Sequence, residues 1–326
     1  MQLPSGSFSW PVAAALVSMV ASPGAAQVVR LVTPNATISE EFSSIRGIRE
    51  LRDGRILVSD YLDQRVVLVD FERQTVTQRV SKGGGPTEAR LPTRLIPARG
   101  DSTLLVDLGN NRLLLLDGSG RPIRTIAAVR PGVLGVRGLD PSGALYFAVP
   151  GWSEGGNALP SRFRPGGSLE PGDRRHLPGC GGSRRTDAIR HQGAVPNPAD
   201  RTAFVRRFLT QSPTSGKGEN GGMGFSPIPN EAEIVQMTHG TQFAERHPMF
   251  NAGDVLLAPG GKLWVGRPAA EGQPAPYDVF DAGGRRVTTV ELKPGRRVMA
   301  VGTRGVYAVA ESEVGIQVLE RYPVPQ

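Results

Sequence analysis

The chain has one cysteine, Cys180, in 326 residues, so it can form no internal disulfide. Lysine is nearly as scarce: only Lys82, Lys217, Lys262 and Lys293 occur, and arginine carries the remaining positive charge. The net charge of +8 and pI near 10.2 suggest a polyanion partner, but the pattern argues against nucleic acid. The arginines are spread along the chain, and Phe, Trp and Tyr make up only 6% of it. A nucleic-acid surface gathers its cations in a stripe with interleaved aromatics. No nucleic-acid partner is therefore expected.

Other absences exclude whole classes of chemistry. The histidines, His176, His191, His239 and His247, form no His-x-x-x-His pair and neighbour no Ser or Cys nucleophile. Cys180 lies in Pro178-Gly179-Cys180-Gly181-Gly182, an exposed-loop composition with nothing to activate a thiol. No catalytic constellation emerges. No apolar run reaches the ~20 residues of a membrane-spanning helix.

Residues 1–26 contain no charged side chain and hold an apolar stretch from Pro11 to Ala21. Gly24 and Ala26 then supply the small residues of a signal-peptidase site before Gln27, although the usual basic n-region is missing. The expectation is a signal peptide over 1–26 and one exported domain over 27–326, periplasmic or secreted. It has no membrane span after cleavage, and no cysteine to carry a lipid anchor.

What the chain does have is punctuation: 42 glycines and 28 prolines between short apolar runs. The runs repeat. Asp60, Arg65 and Asp70 recur 47 positions later as Asp107, Arg112 and Asp117. An apolar triplet precedes the first aspartate of each set, and an apolar quartet separates the arginine from the last. Each copy predicts two strands joined by a polar turn, with a third at Thr75–Val80 or Pro122–Ile126. An apolar strand precedes each, at Ile45–Leu51 and Arg94–Ala98. Four antiparallel strands in this span make one propeller blade.

Looser copies follow from Gly135, from Asp254 and from Val298. The markers Leu104, Leu145, Leu263 and Val306 are separated by 41, 118 and 43 residues. The long step leaves room for one further blade, with Ala203–Leu209 as its candidate strand. The expected fold is all-β: a six-bladed β-propeller of four-stranded blades, with a degenerate fourth blade. Long Gly/Pro-rich loop insertions are expected at 151–185 and 214–226, and helical character from Asn230 to Glu245.

Val58-Ser59-Asp60 with Arg65-Val66, the link Lys82-Gly83-Gly84-Gly85-Pro86-Thr87-Glu88, and Gly261–Val265 followed by Tyr277–Asp281 carry a family resemblance. In these stretches the chain resembles bacterial six-bladed propellers of the NHL-repeat and TolB-like grouping, mostly uncharacterised exported proteins. The resemblance covers roughly 40–150 and 250–322 and implies architecture more than activity. It also implies that a strand near Val28–Val32 completes the last blade beside Ile316–Tyr322, removing an open edge.

Candidate sites follow from that architecture. Gly83–Pro86 is no phosphate cradle, because its lysine precedes the glycines and Pro86 removes a donor. Arg46, Arg94 and Arg137 lie near the starts of three inner strands, and Arg297 precedes a fourth. Converging at a channel mouth, they would form a funnel for a small anionic ligand. The function expected is a binding or protein-interaction module, monomeric and without cofactor, whose partner protein or ligand is unidentified. The alternative is a calcium-dependent hydrolase or lactonase resembling the gluconolactonase and paraoxonase propellers. That resemblance would place Ca2+ on Glu50, Asn251 and Asp254.

Overall fold

The computed structural model describes residues 28–126, 136–139, 145–147, 161–163, 169–170, 201–202, 205–206, 215–217, 223–225, 230–240, 255–270, 272–312 and 314–325. The expected signal peptide, Cys180, His176, His191, His247, Asn251 and Asp254 lie outside these residues. So does most of both expected loops. No helix among the described residues is long and apolar enough to cross a membrane.

The chain opens with β1 (Val28–Leu31) and β2 (Ala36–Phe42). The first sheet follows as β3 (Ile45–Glu50), β4 (Ile56–Asp60), β5 (Arg65–Asp70) and β6 (Thr75–Lys82), edged by the short β7 (Glu88–Ala89). The second is β8 (Pro92–Pro97), β9 (Thr103–Asp107), β10 (Arg112–Leu116) and β11 (Pro122–Ile126). The third is β12 (Val136–Leu139), β13 (Leu145–Phe147), β14 (Ser161–Phe163) and β15 (Leu169–Glu170). A hairpin of β16 (Ser215–Lys217) and β17 (Met223–Phe225) and the helix α1 (Glu231–Gly240) come next.

Two more sheets complete the chain. One runs β18 (Val255–Leu257), β19 (Leu263–Gly266), β20 (Pro276–Phe280) and β21 (Arg286–Leu292). The last runs β22 (Arg296–Val301), β23 (Val306–Glu311) and β24 (Gln317–Tyr322). In each of the five sheets the consecutive strands pair antiparallel in chain order, save the short β7, which runs parallel to β6. The first strands of the sheets touch in the succession β18, β22, β3, β8, β12. Neighbouring blades of a propeller touch through their first strands in this way.

The sheets are bound to one another by their cores. Along β4, Ile56 and Val58 pack against Tyr307, Val309 and Leu319 of the last sheet, while Leu57 faces Leu105 and Leu114 of the second. Strands buried on both faces read as continuous apolar runs, which is why Ile56-Leu57-Val58 does not alternate. On the far face of the second sheet, Leu104, Val106 and Leu113 enclose Val136 and Leu145 of the third. Each fully buried aliphatic side chain contributes about 1.5–3 kcal/mol relative to exposure.

The structure corrects three expectations. The strand that pairs with β24 is β2, while Val28–Leu31 runs parallel to β21 one sheet earlier. Burial explains the choice: β2 inserts Ile38 and Phe42 into the core, whereas Val28 stays 47% exposed. Within the expected loop 151–185, β14 and β15 supply the outer half of the third sheet. Backbone pairing holds such outer strands without requiring an apolar run. Val205 and Arg206 are helical, where Ala203–Leu209 was expected to be a strand. Phe204 and Phe208, and Val205 and Leu209, stand four apart, a spacing that favours a helical face.

Candidate functional site

The first strands of the sheets share a defect in pairing. In β3, Ile45 faces Asp60 and Gly47 faces Ser59, so Arg46 is the extra residue between them. In β12 the shift falls between Val136 and Gly138, which makes Arg137 the extra residue. In β8 it falls between Pro92 and Leu95, spanning Thr93 and Arg94. In β22 it falls at Met299, two residues after Arg297. A bulge bends its strand and re-aims the side chain it carries. Three of the four arginines of the expected funnel therefore occupy one recurrent break near the start of an inner strand.

Neighbouring breaks are pressed together. A Cβ on Gly47 would fall 2.5 Å from the Thr93 carbonyl oxygen and 3.1 Å from the Leu95 nitrogen. Glycine at 47 is what lets β3 and β8 approach, with Arg46 and Arg94 flanking the contact. The Arg46 guanidinium is half-buried and sits 5.4 Å from the Tyr61 ring centroid. Burial, then the nearby charge of Arg297, lowers its pKa, while Tyr61 and Glu311 act in the opposite direction. Arg297 is thus one of the charges that act on Arg46. Arg94 and Arg297 are half-buried on their own strands. The side chain of Arg137 lies outside the described residues.

Glu50 belongs to the opposite end of β3 and to different chemistry. Its Oε1 accepts from the Thr303 backbone N–H at 2.8 Å and from the Thr303 hydroxyl. Its Oε2 accepts from the Arg304 N–H at 3.1 Å and from the Tyr307 hydroxyl at 2.6 Å. A carboxylate has about four lone-pair sites. All four are directed at the last sheet. To ligate calcium, Glu50 would have to give up some of these donors. Among the described residues no group of three His, Cys, Asp or Glu side chains could hold a metal ion.

Arg49, beside it, was not singled out in the sequence. It is 8% exposed and reaches the opposite way, donating to the carbonyls of Asp101 and Ser102 and pairing with Asp101 Oδ1 at 3.2 Å. Adjacent residues of one inner strand thus grip the sheets on both sides. An arginine inside an apolar inner strand was the available signal.

The repeated aspartates and arginines are structural, as their recurrence predicts. Asp60 accepts from the N–H groups of Ser43 and Ser44 at 3.0 and 2.9 Å, and Asp107 accepts from the Arg90 N–H at 2.8 Å. Ser43 and Arg90 are themselves 47 positions apart. Each buried carboxylate pins the chain entering its own sheet. Arg112 donates to Asp107 at 2.8 Å and to the carbonyls of Gly84, Gly85 and Glu88. The glycine run turns its carbonyls, not its N–H groups, to a cation, the reverse of a phosphate cradle. His239 is an exposed residue in the last turn of α1.

The sequence matches no family model and no curated protein. The NHL-repeat and TolB-like resemblance therefore rests on the motifs alone. In three dimensions the chain is similar to regucalcin, a calcium-binding protein from Agrobacterium tumefaciens. The identity is 12% and the TM-score 0.45, over 92% of this chain and 98% of that one. It is similar to a gluconolactonase from Xanthomonas campestris at 13% identity and TM-score 0.41, over 88% and 92%. A PQQ-bound aldose sugar dehydrogenase from Streptomyces coelicolor matches at 16% identity and TM-score 0.43, over 89% and 97%. These similarities span whole chains, at scores that transfer no activity.

Proposed function

We propose that this chain is an exported, monomeric six-bladed β-propeller that binds a small anionic ligand at the mouth formed by its inner-strand breaks. The observation that carries the reading is the pairing break that recurs near the starts of neighbouring first strands, with Arg46, Arg94 and Arg137 in three of them and Arg46 beside Tyr61. Like charges held together in a half-buried setting favour an anion between them, because it relieves their repulsion. Guanidinium groups present planar forks to carboxylate and phosphate oxygens. Arg94, one strand further on, and Arg137 at the next break would extend the cationic rim. The five sheets would be five of the blades, and the sequence between β15 and β18 is long enough for a sixth.

The test is titration with citrate at low ionic strength, followed by calorimetry. Arg46→Ala should weaken binding about tenfold or more, as expected for loss of a charge-assisted pair. Unchanged affinity, or no binding by the unaltered protein, would sink the proposal.

The second reading is a calcium-dependent hydrolase. The regucalcin and gluconolactonase similarities lie nearer to it than to a binding module, but at TM-scores of 0.45 and 0.41 they decide nothing. With Glu50 committed to the last sheet, Asn251 and Asp254 would need another partner on the metal. Metal analysis of the purified protein separates the readings. Stoichiometric calcium favours the hydrolase, and its absence after calcium loading removes it.

A further inference from the structure

A second cationic site stands at the opposite end of the strands, where the turns of the first and last sheets meet. A cavity of about 340 Å³ opens there between the β3–β4 and β5–β6 turns on one side and Arg304 and Arg321 on the other. Four guanidinium groups line it, from Arg55, Arg73, Arg304 and Arg321, against three carboxylates.

The partners already present decide which charges remain available. Arg55 pairs with Asp53 at 2.6 Å, and Arg321 pairs with Glu72 at 2.8 Å while lying 5.1 Å from the Phe71 ring centroid. Those two arginines are walls. Arg73 is 83% exposed and only 4.0 Å from Asp70, whose Oδ1 already accepts two backbone N–H groups. The Arg304 guanidinium makes no hydrogen bond or ion pair among the described residues. A Cβ on Gly54 would fall 2.3 Å from Arg304 Nε, so the guanidinium lies directly on that glycine, whose φ of +88° only glycine adopts readily.

We infer that this cavity is a binding site for the phosphate group of a small phosphorylated molecule, held by Arg304 and Arg73. Two weakly engaged guanidiniums call for a dianion, and a phosphate monoester carries close to two negative charges at neutral pH. One carboxylate would neutralise only half of the pair. Asp53 and Glu72 are paired with Arg55 and Arg321 and Asp70 with backbone N–H groups, so Asp70 meets Arg73 only at 4.0 Å and a phosphate can draw closer to it. The inference is independent of the inner-strand mouth, because Arg46 begins the strand that Glu50 ends.

Inorganic phosphate is the probe, titrated into the full chain at low ionic strength and followed by phosphorus NMR. Saturable binding with a dissociation constant of about 1 mM is expected. Arg304→Gln should weaken it about tenfold, in the unaltered chain and equally in an Arg46→Ala background that removes the contribution of the inner-strand mouth. Acetate at the same concentrations should bind far more weakly. Should Arg304→Gln fail to fold, as judged by its melting curve, Arg73→Gln serves instead, with about a threefold loss expected. Absence of saturation, equal affinity in the folded variant, or acetate binding as tight as phosphate would each overturn the assignment.

Discussion

Tyr307 donates its hydroxyl to Glu50 Oε2 across 2.6 Å, tying the last sheet to the first at the end of β3 remote from Arg46. Burial, and then this hydrogen bond, push the Tyr307 phenol well above its ordinary value. The carboxylate is a fastener between blades. Glu50→Gln keeps the shape but offers an N–H where Tyr307 and Arg304 present donors. It should lower stability by about 2 kcal/mol, read as a shifted urea midpoint with unchanged slope. A midpoint equal to that of the unaltered chain would return Glu50 to the list of candidate ligands.

Asp107 and Arg112 form the corresponding fastener inside the second sheet, with Asp107 fully buried. Asp107→Ala leaves the Arg90 N–H, the Asn110 amide and Arg112 Nε without this acceptor and removes the counter-charge of Arg112. A cost of about 3 kcal/mol is expected in denaturant unfolding. Arg112→Ala should act locally as well, releasing the carbonyls of Gly84, Gly85 and Glu88 and exposing that turn to proteolysis.

Alkaline pH should loosen the last sheet. Burial, then the hydrogen bond to Glu320, pushes the Tyr322 phenol up to about 12 from its ordinary 10.0. The folded state therefore keeps a proton that the unfolded chain loses. The resulting stability is complete below pH 10 and is lost as pH rises through about 12. Tyr322→Phe should flatten this part of the decline in urea midpoints measured across about pH 9 to 12.

The two N-terminal strands should differ in importance. Deleting residues up to 34 removes β1, which lies on a sheet edge and buries only Leu31. Deleting up to 43 also removes β2, with Ile38 and Phe42, and leaves the edge of β24 away from β23 unpaired. The shorter deletion should retain a cooperative melt, and the longer one should lose it. Equal melts would contradict the role given to β2.

The same strands show where the sequence stops being legible. β3 to β6 and β8 to β11 could be read because paired aspartates and arginines repeat at a fixed interval. β2 could not, since the register shift between Ile38 and Glu41 interrupts the alternation that marks a strand. Arg46, Arg94 and Arg137 were recognisable as strand-start arginines. That they share a pairing defect depends on cross-strand register, which no single strand encodes. The fastening role of Glu50 was illegible for a similar reason: its partners, Thr303, Arg304 and Tyr307, lie some 250 positions away and only folding brings them near.

The central claim is that Arg46 and Arg297 share one anion. A double-mutant cycle on citrate binding tests it, with Arg46→Ala, Arg297→Ala and the pair measured by calorimetry at low ionic strength. Each single change should weaken citrate, and the double variant should lose clearly less than the two losses multiplied, because both groups act on the same ligand. Fully multiplicative losses, or affinity untouched by either substitution, would contradict a shared site at the mouth of the inner strands.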